Sequence, residues 1–407
     1  MKILNVAKAA LFGIYLNYYC YYVLYGEFIP RGTVLFLAAA GLCVGMDVIK
    51  QRYIHISPEV GCWLLYGVLA FVATAFMELD GRTDFVSEII KYLQRVGIIM
   101  MVAYICERER SVKFGLQLMA VTAVAMAISV LMVTGDIQRK LDITSGAELS
   151  ANDTGAIMAF GCFAILFAWG KRGRSRTVLS VLKIAAIICC VSVIFLTGSR
   201  KSIGAVVIML VVMALLCLPD YSRRLDLRGL FTLLAIGAAA YWFISRNLLP
   251  YAEETNLYER LFGSGAEAAS ASDQVRIDLY VWALEDFLEN PLFGVGFNQF
   301  KRLHGNYTHS TYAEPFACSG LLGLLYLYPY YNILKRQILL IFSGRRGSYA
   351  RVKQKELFAY LCMFLFVGVG IPFMYKDPPC IVLGTFLASQ AISLDELRST
   401  GQIHSEY

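Results

Sequence analysis

The stretch VLSVLKIAAIICCVSVIFLTGSRKSIGAVVIMLVVMALL, residues 178–216, contains two apolar runs separated by a short polar connection. Each run is close to the roughly 20 residues that an α-helix needs to cross the hydrocarbon core of a bilayer. The connection carries Arg200 and Lys201, and such charges are costly to bury in lipid. The stretch therefore predicts two adjacent membrane-spanning helices with two cations in the turn that joins them.

The rest of the chain repeats this pattern. Of its 407 residues, 58% are hydrophobic and 16% are charged, and the mean hydropathy is +0.58. Long apolar runs separated by polar turns indicate membrane helices, whereas a soluble domain of this length carries more charge. The predicted fold class is an all-α polytopic integral membrane protein.

Hydropathy predicts about twelve spans, at residues 8–25, 33–49, 60–77, 86–106, 114–134, 153–170, 177–197, 201–218, 229–246, 309–334, 356–375 and 378–395. Basic side chains set the orientation, because cytoplasmic loops of membrane proteins are enriched in Lys and Arg. More than half of the 37 Lys and Arg residues fall in the loops on one side. That side is predicted to be cytoplasmic and to hold both termini. The net charge of +7 then reflects topology and not nucleic-acid binding.

This topology divides the chain into three regions. Residues 1–246 hold the first nine spans, residues 247–308 form a long extracytoplasmic loop, and residues 309–407 hold the last three spans with a short cytoplasmic tail. Loops of such length are usually functional in compact proteins.

The long loop has two predicted parts. Its segment GSGAEAASAS, residues 263–272, predicts a flexible piece. Residues 272–290 predict an amphipathic helix that Ser272 or Asp273 could cap. Turn-forming residues end that helix, namely Pro291, Gly294 and Gly296.

Motifs for metals and nucleotides are absent from the sequence. The 11 cysteines lie mostly inside apolar runs and form no C-x-x-C pair, which is typical of small packing residues. A zinc or disulfide framework is therefore not indicated. Neither a D-x-D motif nor a phosphate-binding G-x-x-x-x-G-K-[ST] motif occurs.

Several cations are predicted near the outer membrane face. Arg200 opens a helix, and a guanidinium beside a helix N-terminus suits a phosphate group. The alternative is that Arg200 and Lys201 extend from the helix end into water. Arg95 lies inside a predicted span, where the cost of burial favours a functional pocket, although it too could extend outward.

The long loop and its end add further candidates. Arg276 could form a local ion pair with Asp273 or Asp278, or it could bind substrate. His304 and His309 could be interfacial residues bonded to water, or one could be a general base, since the histidine pKa lies near working pH. A one-sided cationic set with a histidine fits a lipid pyrophosphate as substrate.

Three blocks resemble the O-antigen polymerase/ligase family. They are LTGSRKSIGAVVIML (196–210), VRIDLYVWALEDFLENPLFGVGFNQF (275–300) and HSTYAEPFACSGLLGLLYLY (309–328). A weaker match is SANDTGAIMAF (150–160), with Asn152 at the start of a span. The blocks occur in the family's order, and the first five spans match only in hydropathy.

The resemblance implies an inverting, metal-independent membrane glycosyltransferase without a cofactor. Its donor and acceptor would be oligosaccharides on undecaprenyl pyrophosphate. It would act at the outer face of the bacterial cytoplasmic (inner) membrane, with the lipid bilayer and a chain-length regulator protein as further partners. The specific expectation is an O-antigen or capsule-type polysaccharide polymerase.

The resemblance also implies roles for particular residues. Arg200 and Arg276 would stabilise the leaving pyrophosphate. His309, in the first turn of span ten, would be catalytic, either as the base that accepts the proton of the acceptor hydroxyl or by orienting that hydroxyl. Glu314 lies at the family's acidic position. Arg95 matches no family block, so its expected role rests on its position alone. The residues expected to contact substrate are Arg95, Lys201, Glu314, Asn152 and Tyr312.

Three alternatives stay open. A ligase of the same family would transfer the glycan to a lipid A core sugar. A flippase or anion transporter would carry charges through the membrane midplane to both faces. A scaffold without catalysis would not need His309 together with Arg200 and Arg276.

Overall fold

The computed structural model describes residues 2–17, 19, 32–51, 57–77, 82–132, 151–169, 176–221, 266–343 and 349–399. Within these ranges every regular element is helical and no strand occurs. The helices are α1 (Lys2–Leu16), α2 (Gly32–Gln51), α3 (Pro58–Ala75), α4 (Arg82–Arg108), α5 (Lys113–Met132), α6 (Ala151–Phe167), α7 (Arg176–Thr197), α8 (Arg200–Tyr221), α9 (Ala266–Glu289), α10 (Phe300–His304), α11 (Glu314–Ser319), α12 (Gly323–Ser343), α13 (Tyr349–Gly368) and α14 (Pro378–Ser399). Short 3₁₀ turns lie at Gly320–Leu322 and Phe373–Tyr375.

Six helices in the described part of the chain are long and apolar enough to cross a membrane: α2, α3, α4, α5, α7 and α14. Helices α1 and α6 are apolar but shorter. The predicted class, an all-α membrane protein, is confirmed. The count of about twelve spans and the orientation stay predictions, and the ninth span, 229–246, lies outside the described residues.

Small residues bring the helices close together. Where α4 packs along α14, a Cβ added to Gly384 would lie 2.8 Å from the carbonyl oxygen of Ile99. Helix association in lipid depends on such close packing, because the surrounding acyl chains are as apolar as the helix surfaces. Large buried side chains fill the interior, including Trp63, Tyr66, Phe163, Tyr360, Phe364 and Phe386.

The prediction that span ten runs as one helix from residue 309 is wrong. His309 has a φ of 56°, in the left-handed region, and a turn follows it. Helix α11 is only six residues long, and α12 begins at Gly323. The apolar composition of residues 309–334 concealed this break, which depends on tertiary contacts of Gly320 described below.

The last predicted spans also need one correction. Helix α13 ends at Gly368 instead of continuing to residue 375. Residues 369–377, the α13–α14 connection, contain Gly370 and Pro372, which both oppose a continuous helix. Helix α14 begins at Pro378, as predicted, because proline is well tolerated in the first helical turn.

The loop helix begins earlier than predicted. Helix α9 starts at Ala266, so Ser272 and Asp273 lie inside it and neither caps it. The segment 266–271 is rich in alanine, the residue with the highest helix propensity, and this outweighs the glycine and serine residues around it. The helix ends at Glu289, next to the predicted stop at Asn290.

Candidate functional site

Two of the sequence blocks pair through their backbones, and this pairing shapes the entrance to α12. Val295 N–H donates to the carbonyl oxygen of Ala317 over 2.9 Å, and Gly296 N–H donates to that of Cys318 over 3.0 Å. In return, Leu321 N–H donates to the carbonyl oxygen of Pro291 over 2.8 Å. The turn after α9 is therefore hydrogen-bonded to residues 317–321, which follow His309 in the sequence.

We call the backbone pairing of residues 291–296 with residues 317–321 the clasp. Glycine is required in both of its segments. Gly294 has a φ of 64°, and a Cβ there would lie 2.4 Å from the carbonyl oxygen of Ala317. Gly320 has a φ of 57°, and a Cβ there would lie 2.5 Å from that of Pro291. Both the left-handed backbone and the close approach exclude larger residues.

The backbone around His309 is anchored by its neighbour Thr311. Thr311 N–H donates to the carbonyl oxygen of Gly368 over 2.8 Å. Its hydroxyl donates to the carbonyl oxygen of Ile371 and accepts from Phe373 N–H, the latter over 3.0 Å. The backbone near His309 is thus held through Thr311 by the end of α13 and by the α13–α14 connection, and His309 itself lies outside any helix.

Charged groups from four separate elements act on His309. They are Arg276 of α9, Lys201 of α8, Lys376 of the α13–α14 connection and Asp153 of α6. Burial is the largest effect and, with these cations, lowers the pKa of His309 to about 4. The ring is therefore neutral at pH 7 and can accept a proton. We call His309 and these four groups the cationic site.

The Gly-Ser-Arg block folds into a tight turn between α7 and α8. Gly198 has a φ of 60°, which suits the end of a helix. Ser199 is buried, and its hydroxyl accepts from Ser202 N–H over 3.4 Å, as an N-cap does. This turn sets Arg200 at the first position of α8, followed by Lys201.

Asn152 lies beside this turn. The Ser199 hydroxyl donates to the side-chain oxygen of Asn152 over 3.1 Å. A Cβ on Gly155, one turn further along α6, would lie 2.4 Å from the Ser202 hydroxyl, so the starts of α6 and α8 are in close contact. The structure therefore brings together the family-like asparagine and the Gly-Ser-Arg block.

Two other predicted residues, Arg95 and Tyr312, have structural partners. Arg95 Nε lies 2.8 Å from Asp377 Oδ1, and a second nitrogen donates to the carbonyl oxygen of Met374 over 3.2 Å. The Tyr312 hydroxyl donates to the carbonyl oxygen of Leu365 over 2.7 Å. These contacts hold the α13–α14 connection and the backbone near His309. Direct contact of Arg95 or Tyr312 with substrate stays a prediction.

Glu314 is fully buried beneath the loop that carries His309. One carboxylate oxygen accepts from Thr308 N–H over 2.8 Å, and the Cys318 thiol lies 3.5 Å from the other. Burial raises the pKa of this carboxyl group. Glu314 anchors the loop in this structure, and its predicted contact with substrate stays a prediction.

His304 has a different environment from His309. Its Nε2 lies 2.9 Å from Asp286 Oδ2, and its ring stacks on Trp282 with centroids 5.0 Å apart. Both contacts tie α10 to α9. Sequence reasoning did not predict this pairing, although Asp286 and Trp282 stand four residues apart on one face of the predicted helix.

Lys376 and Asp153 are the residues that sequence reasoning missed. Lys376 Nζ lies 2.9 Å from Asp153 Oδ2. A signal was present in YKDPP, residues 375–379, where charges stand in a short predicted connection, as they do at Arg200 and Lys201. The partner was not predictable, since α6 and this connection are far apart in sequence.

The fold and site define a helical membrane protein with a cationic, histidine-containing site. The model of a family described as O-antigen ligase matches residues 185–328. This match confirms the resemblance to the O-antigen polymerase/ligase family and includes Arg200, Arg276 and His309. Asp153 and Lys376 lie outside the matched residues. A search of curated proteins found no match to the chain.

Proposed function

We propose that the protein is a polysaccharide polymerase that joins oligosaccharide units carried on undecaprenyl pyrophosphate. The observation that supports this most directly is the cationic site, where Arg276, Lys201 and Lys376 act electrostatically on a neutral His309. Cations suit a pyrophosphate, and a neutral imidazole suits a hydroxyl that must lose a proton. We further propose that the site faces the extracytoplasmic side of the bacterial cytoplasmic membrane.

The proposed reaction is one displacement at the anomeric carbon of the donor. The acceptor hydroxyl oxygen forms a bond to that carbon from the face opposite the leaving group, which inverts the configuration. The bond from carbon to the pyrophosphate oxygen breaks, and undecaprenyl pyrophosphate leaves with the electron pair. The hydroxyl proton passes to the unprotonated ring nitrogen of His309. Arg200 and Arg276 stabilise the negative charge that grows on the leaving group.

Donor binding would also strengthen the base. The cations near His309 lower its pKa, and a bound pyrophosphate would offset their charge. The imidazole then holds a proton more readily when the donor is present. Proton transfer to His309 would therefore be favoured when the donor is bound, and His309 would stay neutral when no donor is bound.

A ligase of the same family is the second candidate, and the description of the matched family as O-antigen ligase favours it. The two candidates differ in acceptor, which is a second lipid-linked glycan for a polymerase and a lipid A core sugar for a ligase. The cationic site would perform the same chemistry in both.

Reconstitution with a defined donor tests both candidates. Proteoliposomes would receive an undecaprenyl-pyrophosphate oligosaccharide, with or without lipid A core, and the products would be separated on a gel. A ladder supports the polymerase, and a single transfer to lipid A core supports the ligase. No product, with lipid appearing in the opposite leaflet, would contradict both and support a flippase.

A further inference from the structure

The α13–α14 connection is held at both ends by the protein interior. Near its start, Thr311 bonds with Gly368 and Phe373. Near its end, Arg95 pairs with Asp377 at 2.8 Å and bonds to the carbonyl oxygen of Met374. Lys376 lies between Met374 and Asp377, the two residues that Arg95 contacts, and these contacts fix the backbone of Lys376.

The side chain of Lys376 reaches the start of α6. Its Nζ lies 2.9 Å from Asp153 Oδ2, and the two side chains are only 16% and 9% exposed. A shielded ion pair is weak evidence for stability, because desolvation of the two charges offsets much of their attraction. This cost favours a functional reason for the pair.

The pair adjoins the residues already connected with the donor. Asp153 follows Asn152, whose side chain accepts from Ser199 in the Gly-Ser-Arg turn. Lys201, in the first turn of α8, contacts the start of the connection, since a Cβ added to Gly370 would lie 2.2 Å from the Nζ of Lys201. The connection therefore adds a third cation, Lys376, to Lys201 and Arg276, and all three act electrostatically on His309.

We propose that Lys376 is a further ligand for the pyrophosphate of the lipid-linked donor and that Asp153 positions it until the donor binds. The proposal rests on the proposed function. A pyrophosphate oxygen would take a hydrogen bond from the ammonium group, which then neutralises the charge that grows as the glycosidic carbon–oxygen bond breaks. Asp153 is a positioning residue, whereas Lys376 touches the substrate.

A charge swap separates this role from a purely structural ion pair. In Asp153→Lys with Lys376→Asp, the pair can still form, but the cation now stands on α6. A structural pair predicts that the swap restores what Lys376→Ala loses. A pyrophosphate ligand predicts that the swap stays defective, because the carboxylate now occupies the position of the ammonium group.

The test measures kcat and KM for the defined donor in proteoliposomes. Lys376→Ala is expected to lower kcat/KM by about 10- to 100-fold, the worth of one charge-assisted hydrogen bond, and Lys376→Arg by less. The control is Lys91→Ala, since Lys91 also has a local ion-pair partner, Glu88, at 2.7 Å. It is expected to stay within about threefold of wild type. Normal kcat/KM in Lys376→Ala, or recovery in the charge swap, would overturn the proposal.

Direct binding of undecaprenyl pyrophosphate provides the second measurement. Its affinity is expected to fall about tenfold or more in Lys376→Ala and to be unchanged in Lys91→Ala. If the charge-swap variant fails to fold, this affinity measurement decides whether Lys376 binds the pyrophosphate. Binding without glycan transfer by wild type would contradict the proposed function but leave the role of Lys376 standing. If the wild-type protein neither binds undecaprenyl pyrophosphate nor transfers the glycan, the proposed function and the proposed role of Lys376 would both be overturned.

Discussion

His309 combines a strained backbone with a depressed pKa. Its φ of 56° is uncommon outside glycine, and such conformations cluster at functional sites. Partial burial and nearby cations keep the imidazole neutral. His304, only five residues earlier, pairs instead with Asp286 and stacks on Trp282. The two histidines therefore provide an internal comparison between a proposed base and a structural residue.

Replacement of His309 by alanine should lower the transfer rate by about 10²- to 10⁴-fold, the usual worth of a general base. His304→Ala should lose less than about tenfold, because it removes contacts between α9 and α10 but no group in the cationic site. Both variants would be compared at matched expression, with donor binding measured separately. An inactive His304→Ala beside an active His309→Ala would show that the base is misassigned.

The pH dependence should reveal the depressed pKa. A general base must be unprotonated, so activity is lost as pH falls through its pKa. The acidic limb of kcat/KM, which reports the free enzyme, is expected near pH 4. The limb of kcat, which reports the donor complex, is expected at higher pH, because pyrophosphate offsets the cations. A kcat/KM limb near the ordinary histidine value of about 6.5 would contradict this electrostatic account.

The sequence predicts catalytic roles for Arg200, Arg276 and His309 because these residues lie in blocks that resemble the family. It missed Lys376, whose meaning depends on Asp153 from a distant helix. It also predicted that Arg95 contacts the substrate but did not predict its ion pair with Asp377. A sequence shows where charges are costly, but tertiary structure decides which of them compensate one another.

At the scale of elements, the clasp between residues 291–296 and 317–321 explains a break that hydropathy did not predict. The run 316–328 is apolar enough to be taken for the start of a membrane helix. Hydrogen bonds to Pro291 and from Val295 hold this segment as a short helix and a 3₁₀ turn before α12 begins. The boundaries of α9 and α13 also differ from the predictions, whereas most apolar spans correspond closely to observed helices.

A substitution in the clasp should separate close packing from backbone strain. Gly294→Ala and Gly305→Ala both put a side chain at positive φ, which costs roughly 1–2 kcal/mol. A Cβ at Gly305 meets no atom within 4 Å, whereas one at Gly294 meets three backbone atoms at 2.4–2.5 Å. Gly294→Ala should therefore lower the melting temperature in detergent more than Gly305→Ala. Equal melting temperatures would mean that the clasp does not stabilise the fold.

At the scale of the whole molecule, the orientation in the membrane is still a prediction from basic residues. A cysteine at the exposed Glu289, near the end of α9, should react with an impermeant thiol reagent in intact spheroplasts. A cysteine at the exposed Lys335 should react only after permeabilisation. Wild type supplies the background from native cysteines. The reverse pattern would invert the topology and move the cationic site to the cytoplasmic side.

We propose that the cationic site transfers a glycan from a lipid pyrophosphate. The most direct test of this proposal is product formation by the purified protein in proteoliposomes supplied with a defined undecaprenyl-pyrophosphate oligosaccharide and excess EDTA. Wild type is expected to produce a ladder that persists in EDTA, because arginine and lysine side chains can neutralise the leaving group. Arg276→Ala is expected to abolish that ladder. Loss of the wild-type ladder in EDTA with rescue by magnesium, or a normal ladder from Arg276→Ala, would contradict the account.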